Sequence, residues 1–216
     1  MGEPYVYLEL PDGATPSFIT RRCSGLIYYL SDLHFGHENA IHFDQRPFAD
    51  VEEMAERLIA NWNARVRDGD TVWLLGDICF RSRRSPVEYL RRMAGEKHLV
   101  TGNHDRPYLE DKTFLAQFAS VSRLTETVDN HRRVVLCHFP LAEWNGYWRG
   151  AYHVYGHIHH GSRSPAYAYL QGQERALNAG CMCNDYAPAT LDELIARKAA
   201  AIKKQQEKGE KNHEDG

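Results

Sequence analysis

Short apolar runs that stop abruptly at clusters of aspartate, asparagine and histidine recur through this chain, and they limit its fold more than any other feature. Leu26-Ile27-Tyr28-Tyr29-Leu30 leads into Ser31-Asp32-Leu33-His34, Thr71 to Leu75 into Gly76-Asp77, and His98-Leu99-Val100 into Gly102-Asn103-His104-Asp105. Further on, Val134-Val135-Leu136-Cys137 meets His138, and Val154-Tyr155 meets Gly156-His157-Ile158-His159. Runs this short, rich in β-branched, aromatic and aliphatic residues, fit strands. The polar chemistry therefore sits at strand ends.

Helical signals separate the first three runs. Asp50 with Glu53 makes a capping box ahead of Met54, Leu58, Ile59 and Trp62, and Ser85 precedes Pro86 at a first helical position, with Gly95 closing the far end. The second half changes character. Val121 to Leu136 holds two strand-like runs around Asp129-Asn130-His131, and Val154-Tyr155 and Ala176 to Ala179 add short strands, which predicts a second, mostly antiparallel sheet.

Thr190 and Glu193 open a last helix over 190–205 that loses its apolar stripe near Lys203, and 206–216 is expected to be a disordered polar tail. Residues 1–24 are expected to form an edge strand, Tyr5 to Leu10, and a turn at Pro11-Asp12-Gly13. With 216 residues and 43% apolar content the chain suits one domain, 1–216, with its core over about 26–190.

A net charge of -3 and a pI near 6.5 provide no chain-wide basic field, so extended nucleic-acid binding is not expected. The five cysteines are odd in number and scattered, no signal peptide opens the sequence, and no apolar run approaches a membrane span. A cytoplasmic protein with no membrane partner is the expectation. Cys181-Met182-Cys183 lacks the spacing of a zinc site.

The polar clusters together supply the carboxylates of Asp32 and Asp77, the amide of Asn103 and the imidazoles of His34, His138, His157 and His159, with His104 left over. Residues two apart in a strand face the same side, so Asp32 and His34 can reach one metal together. The two oxygens of Asp77 could bridge two ions. Asn103 can offer its amide oxygen, while His104 beside it can donate a proton with Asp105 near enough to orient it. This inventory is sufficient for a two-metal hydrolase.

The order Asp-x-His, Gly-Asp, Gly-Asn-His-Asp, His, Gly-His-x-His resembles that of the calcineurin-like metallophosphoesterases, over about residues 26–190. The stretch Ser31 to Asn39 with Trp62-Asn63 looks like a subgroup of small bacterial and phage members. The protein serine/threonine phosphatase branch fits poorly, because Ile78-Cys79-Phe80-Arg81 stands where that branch has Asp-Arg-Gly. The resemblance implies an α/β (α+β) chain: a two-sheet β-sandwich flanked by helices, the metallo-dependent phosphatase-like fold. It implies one metal held by Asp32, His34, Asp77 and His159, and a second by Asp77, Asn103, His138 and His157.

Two divalent ions against two carboxylates leave a charge of about +2, or about +1 with a bridging hydroxide, which suits an anionic phosphoester. The expected activity is a metal-dependent phosphodiesterase: the bridging hydroxide attacks phosphorus, and His104 protonates the leaving oxygen. A phosphomonoesterase or a phosphatase of nucleotides or short oligonucleotides is the alternative, and a non-catalytic binding scaffold is the alternative outside enzymes. Mixed nitrogen and oxygen donors suit manganese, iron, zinc, cobalt or nickel, with manganese favoured on family behaviour. His37, Arg46 and Arg81 are candidate substrate contacts, and Trp144, Tyr147, Trp148 and Tyr152 could line a base-binding rim.

Overall fold

The computed structural model describes residues 25–161 and 164–214, so the strand expected over Tyr5 to Leu10 lies outside the described residues. Strand β1 (Ile27–Leu30) is followed by helices α1 (Glu38–Phe43) and α2 (Val51–Arg65), then by β2 (Thr71–Leu74) and α3 (Pro86–Leu90). Next come β3 (Glu96–Val100), α4 (Lys112–Leu115), β4 (Ser120–Ser122), β5 (Leu124–Asp129) and β6 (Arg132–Cys137). The chain continues through β7 (Tyr152–Tyr155), α5 (Tyr167–Gln171), β8 (Ala176–Asn178), β9 (Ala189–Thr190) and α6 (Leu191–Glu214).

The strands form a five-stranded sheet ordered β4-β3-β2-β1-β9 and a four-stranded sheet ordered β5-β6-β7-β8. The result is a mixed α/β sandwich of two sheets flanked by helices. Strands β1 to β4 run parallel, with Tyr28 opposite Val72 and Trp73 opposite His98, and only β9 joins antiparallel. The second sheet is not mostly antiparallel as expected: β5 and β6 form a hairpin, but β6, β7 and β8 run parallel to one another. Buried strands of either direction carry the same apolar content, so the sequence pattern does not distinguish them. Parallel strands require crossovers, which segments 138–151 and 156–175 supply.

Alternation within the strands builds the layers. Tyr28, Leu30, Val72, Leu74 and Leu99 turn outward onto Met54, Leu58, Ile59 and Trp62 of α2. Their neighbours Tyr29, Trp73, Leu75 and Val100 turn inward to meet Val134, Leu136, Val154 and Leu177 of the other sheet. On the far face of the second sheet Val135, Tyr155 and Ala176 pack beneath Trp144, Ala151 and Leu170. Strands covered on both faces leave only their ends to solvent.

The helix starts follow the sequence signals. Asp50 Oδ1 accepts from the backbone N–H groups of Glu52 and Glu53, while Glu53 reaches back to Ala49 N. Ser85 and Glu88 close a full capping box around α3, which ends at Leu90 rather than continuing to Gly95. Thr190 and Glu193 cap α6 in the same reciprocal way. That helix runs to Glu214, past the end expected near 205, because its Lys, Gln, Glu and Ala residues favour helix without an apolar stripe. No helix among the described residues is long and apolar enough to cross a membrane.

His153 inside β7 is fully buried and held neutral: Nδ1–H donates to Val135 O at 3.0 Å, and Nε2 accepts from Leu141 N at 3.0 Å. Burial lowers its pKa to about 4, the contact with the Val135 carbonyl acting weakly against that. Below its unfolded value near 6.5 the unfolded chain takes up a proton that the folded chain refuses, so stability falls as pH drops from about 6.5 to about 4. Urea titrations should show the wild type losing about 2 to 3 kcal/mol more than His153→Gln between pH 7 and pH 4.5. Equal losses in the two proteins would refute this assignment.

Candidate metal centre

The loops leaving β1, β2, β3, β6 and β7 meet at one end of the sandwich, bringing all seven sequence-derived candidate ligands together. Five of them hold left-handed backbone: Asp32 (φ 58°), His34 (53°), Asp77 (56°), His157 (69°) and His159 (49°). Residues other than glycine avoid this region, and such strain collects where side chains must be aimed. Here it turns each loop back sharply after its strand. The loops are also stitched to one another, since Asp32 N donates to Gly76 O and His34 N to Asp77 O. At Gly102 any Cβ would strike the Asp77 carboxylate and the His138 ring, which is why glycine opens the Gly-Asn-His-Asp segment.

Two donor groups result, Asp32, His34 and His159 in one and Asp77, His138 and His157 in the other, each with donor atoms within 4.8 Å of one another. His34 Nε2 and His159 Nε2 stand 3.2 Å apart, and His159 Nε2 lies 3.8 Å from Asp32 Oδ1. Asp77 Oδ2 lies between the groups, 3.7 Å from His34 Nε2 and 3.5 Å from His138 Nε2. Asn103 Oδ1 is 3.1 Å from His138 Nε2. Donors about 2.0 to 2.1 Å from a shared tetrahedral ion stand roughly 3.3 Å apart, which matches this spacing.

The outer nitrogens fix which imidazole face is free. His138 Nδ1–H donates to Leu75 O at 2.6 Å, and His159 Nδ1–H donates to both oxygens of Asp44 at 2.7 and 2.8 Å. Both rings therefore aim an Nε2 lone pair inward. Burial holds the Asp32 carboxyl above the usual carboxylate range and drives His34 well below the usual imidazole range; it lowers His157 as well. At His159 burial acts downward, yet the Asp44 hydrogen bond and the Asp32 charge outweigh it and leave the ring raised.

Among the described residues no lysine or arginine pairs with the Asp32 or Asp77 carboxylate. Two buried carboxylates facing imidazole nitrogens have no lysine or arginine partner, and divalent ions fit that donor set.

Other candidates take different places. Arg46 is only 4% exposed and binds inward, through Nη1 to Leu33 O, Nη2 to Asp32 O, and both Nε and Nη2 to Asp44. It is therefore not a substrate contact but the brace behind the first loop. Asp105 does not orient the His104 ring. Its buried carboxylate accepts from the backbone N–H groups of Asp77, Ile78 and Gly102, clamping two loops. His104 N donates to Asp77 Oδ1 at 2.9 Å, and its Nε2 is 3.9 Å from Asp77 Oδ2, which puts the ring beside the donor groups.

His37 packs against His34, and its buried Nδ1 has no partner. Arg81 is exposed, with its guanidinium 5.1 Å from the Phe80 ring centroid. The aromatic segment expected at the rim belongs elsewhere: Trp144 is buried in the outer layer of the second sheet, and Tyr147 packs on it. Cys181 and Cys183 donate to the carbonyls of Asp32 and His159, as structural thiols. Sequence reasoning missed Asp44, which has no distinctive signal beyond standing two residues before Arg46.

No protein-family model matches the chain. The "Uncharacterized protein MJ1445" of Methanocaldococcus jannaschii is 32% identical over 171 residues, covering 78% of this chain and 89% of the relative. The "Gene 66 protein" of Mycobacterium phage L5 is 31% identical over 160 residues, covering 61% of this chain and 76% of that protein. The crystal structure of AQ665 from Aquifex aeolicus, a protein of unknown function, has the same fold. Its TM-score is 0.61 at 24% identity, over 78% of this chain and 97% of that one. At 32% identity over 78% of its length, the chain belongs to the same family as the Methanocaldococcus jannaschii protein.

Proposed function

We propose that this protein is a binuclear metal-dependent phosphohydrolase acting preferentially on phosphodiesters. The observation that carries the reading is the pair of adjacent donor groups, each with its donor atoms within 4.8 Å of one another, with Asp77 of the second reaching to 3.7 Å from His34 of the first. Asp32, His34, Asp77 and His159 would hold one ion, and Asp77, Asn103, His138 and His157 the other. When bound, two such ions supply a water made acidic enough to attack at neutral pH and positive charge for the phosphoryl oxygens.

The chain's own residues do the rest. Asp44 and the Leu75 carbonyl hold His159 and His138 in the tautomer that keeps Nε2 free. Asp105 fixes the two loops that carry Asp77 and Asn103. His104, partly open to solvent beside Asp77, is positioned to give a proton to the leaving oxygen.

Manganese is the preferred ion, with iron, zinc, cobalt and nickel as substitutes. The test begins with protein stripped by a chelator. Manganese should restore hydrolysis of bis-p-nitrophenyl phosphate, at a higher kcat/KM than for p-nitrophenyl phosphate, with two ions per chain by elemental analysis. Faster monoester cleavage would reverse the diester preference. Protein that takes up no metal and cleaves neither ester would be a binding scaffold.

A further inference from the structure

Three phenylalanines surround the donor groups, and none can ligate a metal. Phe80 meets the rings of His104 and His37 with centroids 4.3 and 4.5 Å apart. Phe43, 67% exposed, stands on the other flank of His37 at 6.5 Å. Phe139, 44% exposed, meets His157 at 4.6 Å and His138 at 5.1 Å. His37 and His104 each lie 5.4 Å from His34, so Phe43 and Phe80 border the first donor group, while Phe139 borders the second. Each side of the centre thus has its own aromatic surface.

Scattered exposed phenylalanines are ordinary, but several converging on one polar centre mark a place where flat apolar groups are received. Charge narrows the choice. Arg81 lies over Phe80, is exposed, and has no hydrogen-bond or ion-pair partner among the described residues. Close by, the buried Nδ1 of His37 also lacks one. Aromatic surfaces beside an exposed, unpaired cation suit a ligand that alternates flat rings with phosphate. A phosphodiester carries two substituents, and the aromatic surfaces stand at both donor groups. An aromatic phosphomonoester would use only one of them.

We propose that the substrate is a nucleotide phosphodiester, short and single-stranded, with the base on one side of the scissile phosphate resting on Phe139 and the base on the other on Phe43 and Phe80. Arg81 binds a phosphate oxygen. This rests on the phosphohydrolase reading above and names the substrate class for the same site. Base stacking is worth about 1 to 3 kcal/mol per base, or roughly 5- to 150-fold in affinity.

The experiment compares two diesters with the same leaving group, thymidine 5′-(p-nitrophenyl phosphate) and methyl p-nitrophenyl phosphate, on the manganese-loaded protein. Wild type should prefer the thymidine ester by roughly 10-fold or more in kcat/KM, chiefly through KM. Phe139→Leu and Phe43→Leu, both at exposed positions, should each shrink that ratio several-fold. Calorimetric binding of thymidine 5′-monophosphate should weaken in step.

If both esters are cleaved with equal efficiency, or if the preference survives both substitutions, the substrate class is wrong while the hydrolase reading stands. If neither ester is cleaved with any of the five metals, the hydrolase reading itself fails. Variants that lose both esters in equal proportion would make these rings a water-excluding wall rather than a base platform.

Discussion

Asp77→Asn should lower phosphodiester hydrolysis by about 10³-fold or more and release both metal ions together. The reasoning is local. Asp77 Oδ2 lies 3.7 Å from His34 Nε2 on one side and 3.5 Å from His138 Nε2 on the other, so one charge serves both donor groups. An amide leaves Asp32 as the only anionic donor of the two groups. The substitution should spare the fold, because an amide oxygen can still accept from His104 N and asparagine tolerates left-handed backbone. Elemental analysis and a thermal melt of the metal-free protein check both halves. A variant that retains two ions and full activity would end the binuclear assignment.

The second large effect depends on the leaving group. His104→Ala should cut hydrolysis of a dialkyl phosphate by roughly 10²- to 10⁴-fold, the usual reach of a general acid. Nitrophenyl esters should lose far less, since nitrophenolate departs without a proton. The backbone contact from His104 N to Asp77 Oδ1 survives in this variant, so the donor groups stay assembled. Steady-state kinetics on both esters decide the matter. Equal losses would remove the acid role and leave His104 as a binding group.

The seven candidate ligands were legible because each needs a particular side chain at the end of a recognisable strand. The five-stranded sheet was legible for a related reason: strong strand signals alternate there with capped helices, as at Asp50 and Ser85. The direction of β7 was not, because Val154 is buried between layers and reads the same in a parallel or antiparallel pair. Arg46 and Asp105 look like functional polar residues in one dimension. Only tertiary contacts reveal that the first braces Asp32 and Leu33 and the second gathers backbone amides. Phe139 adjoins His138 in sequence, and a single phenylalanine after a strand carries no signal of its own.

The left-handed backbone at Asp32, His34, Asp77, His157 and His159 also restricts the alphabet from which such a centre can be written. Glutamate and cysteine bind these metals well, yet aspartate, asparagine and histidine are the non-glycine residues that enter this conformation most readily. Conversion of the centre to a thiolate-rich or glutamate-rich site would have to rebuild five loop turns along with the ligands. Backbone shape, ahead of affinity, would then keep drift and redesign alike within carboxylate–imidazole chemistry.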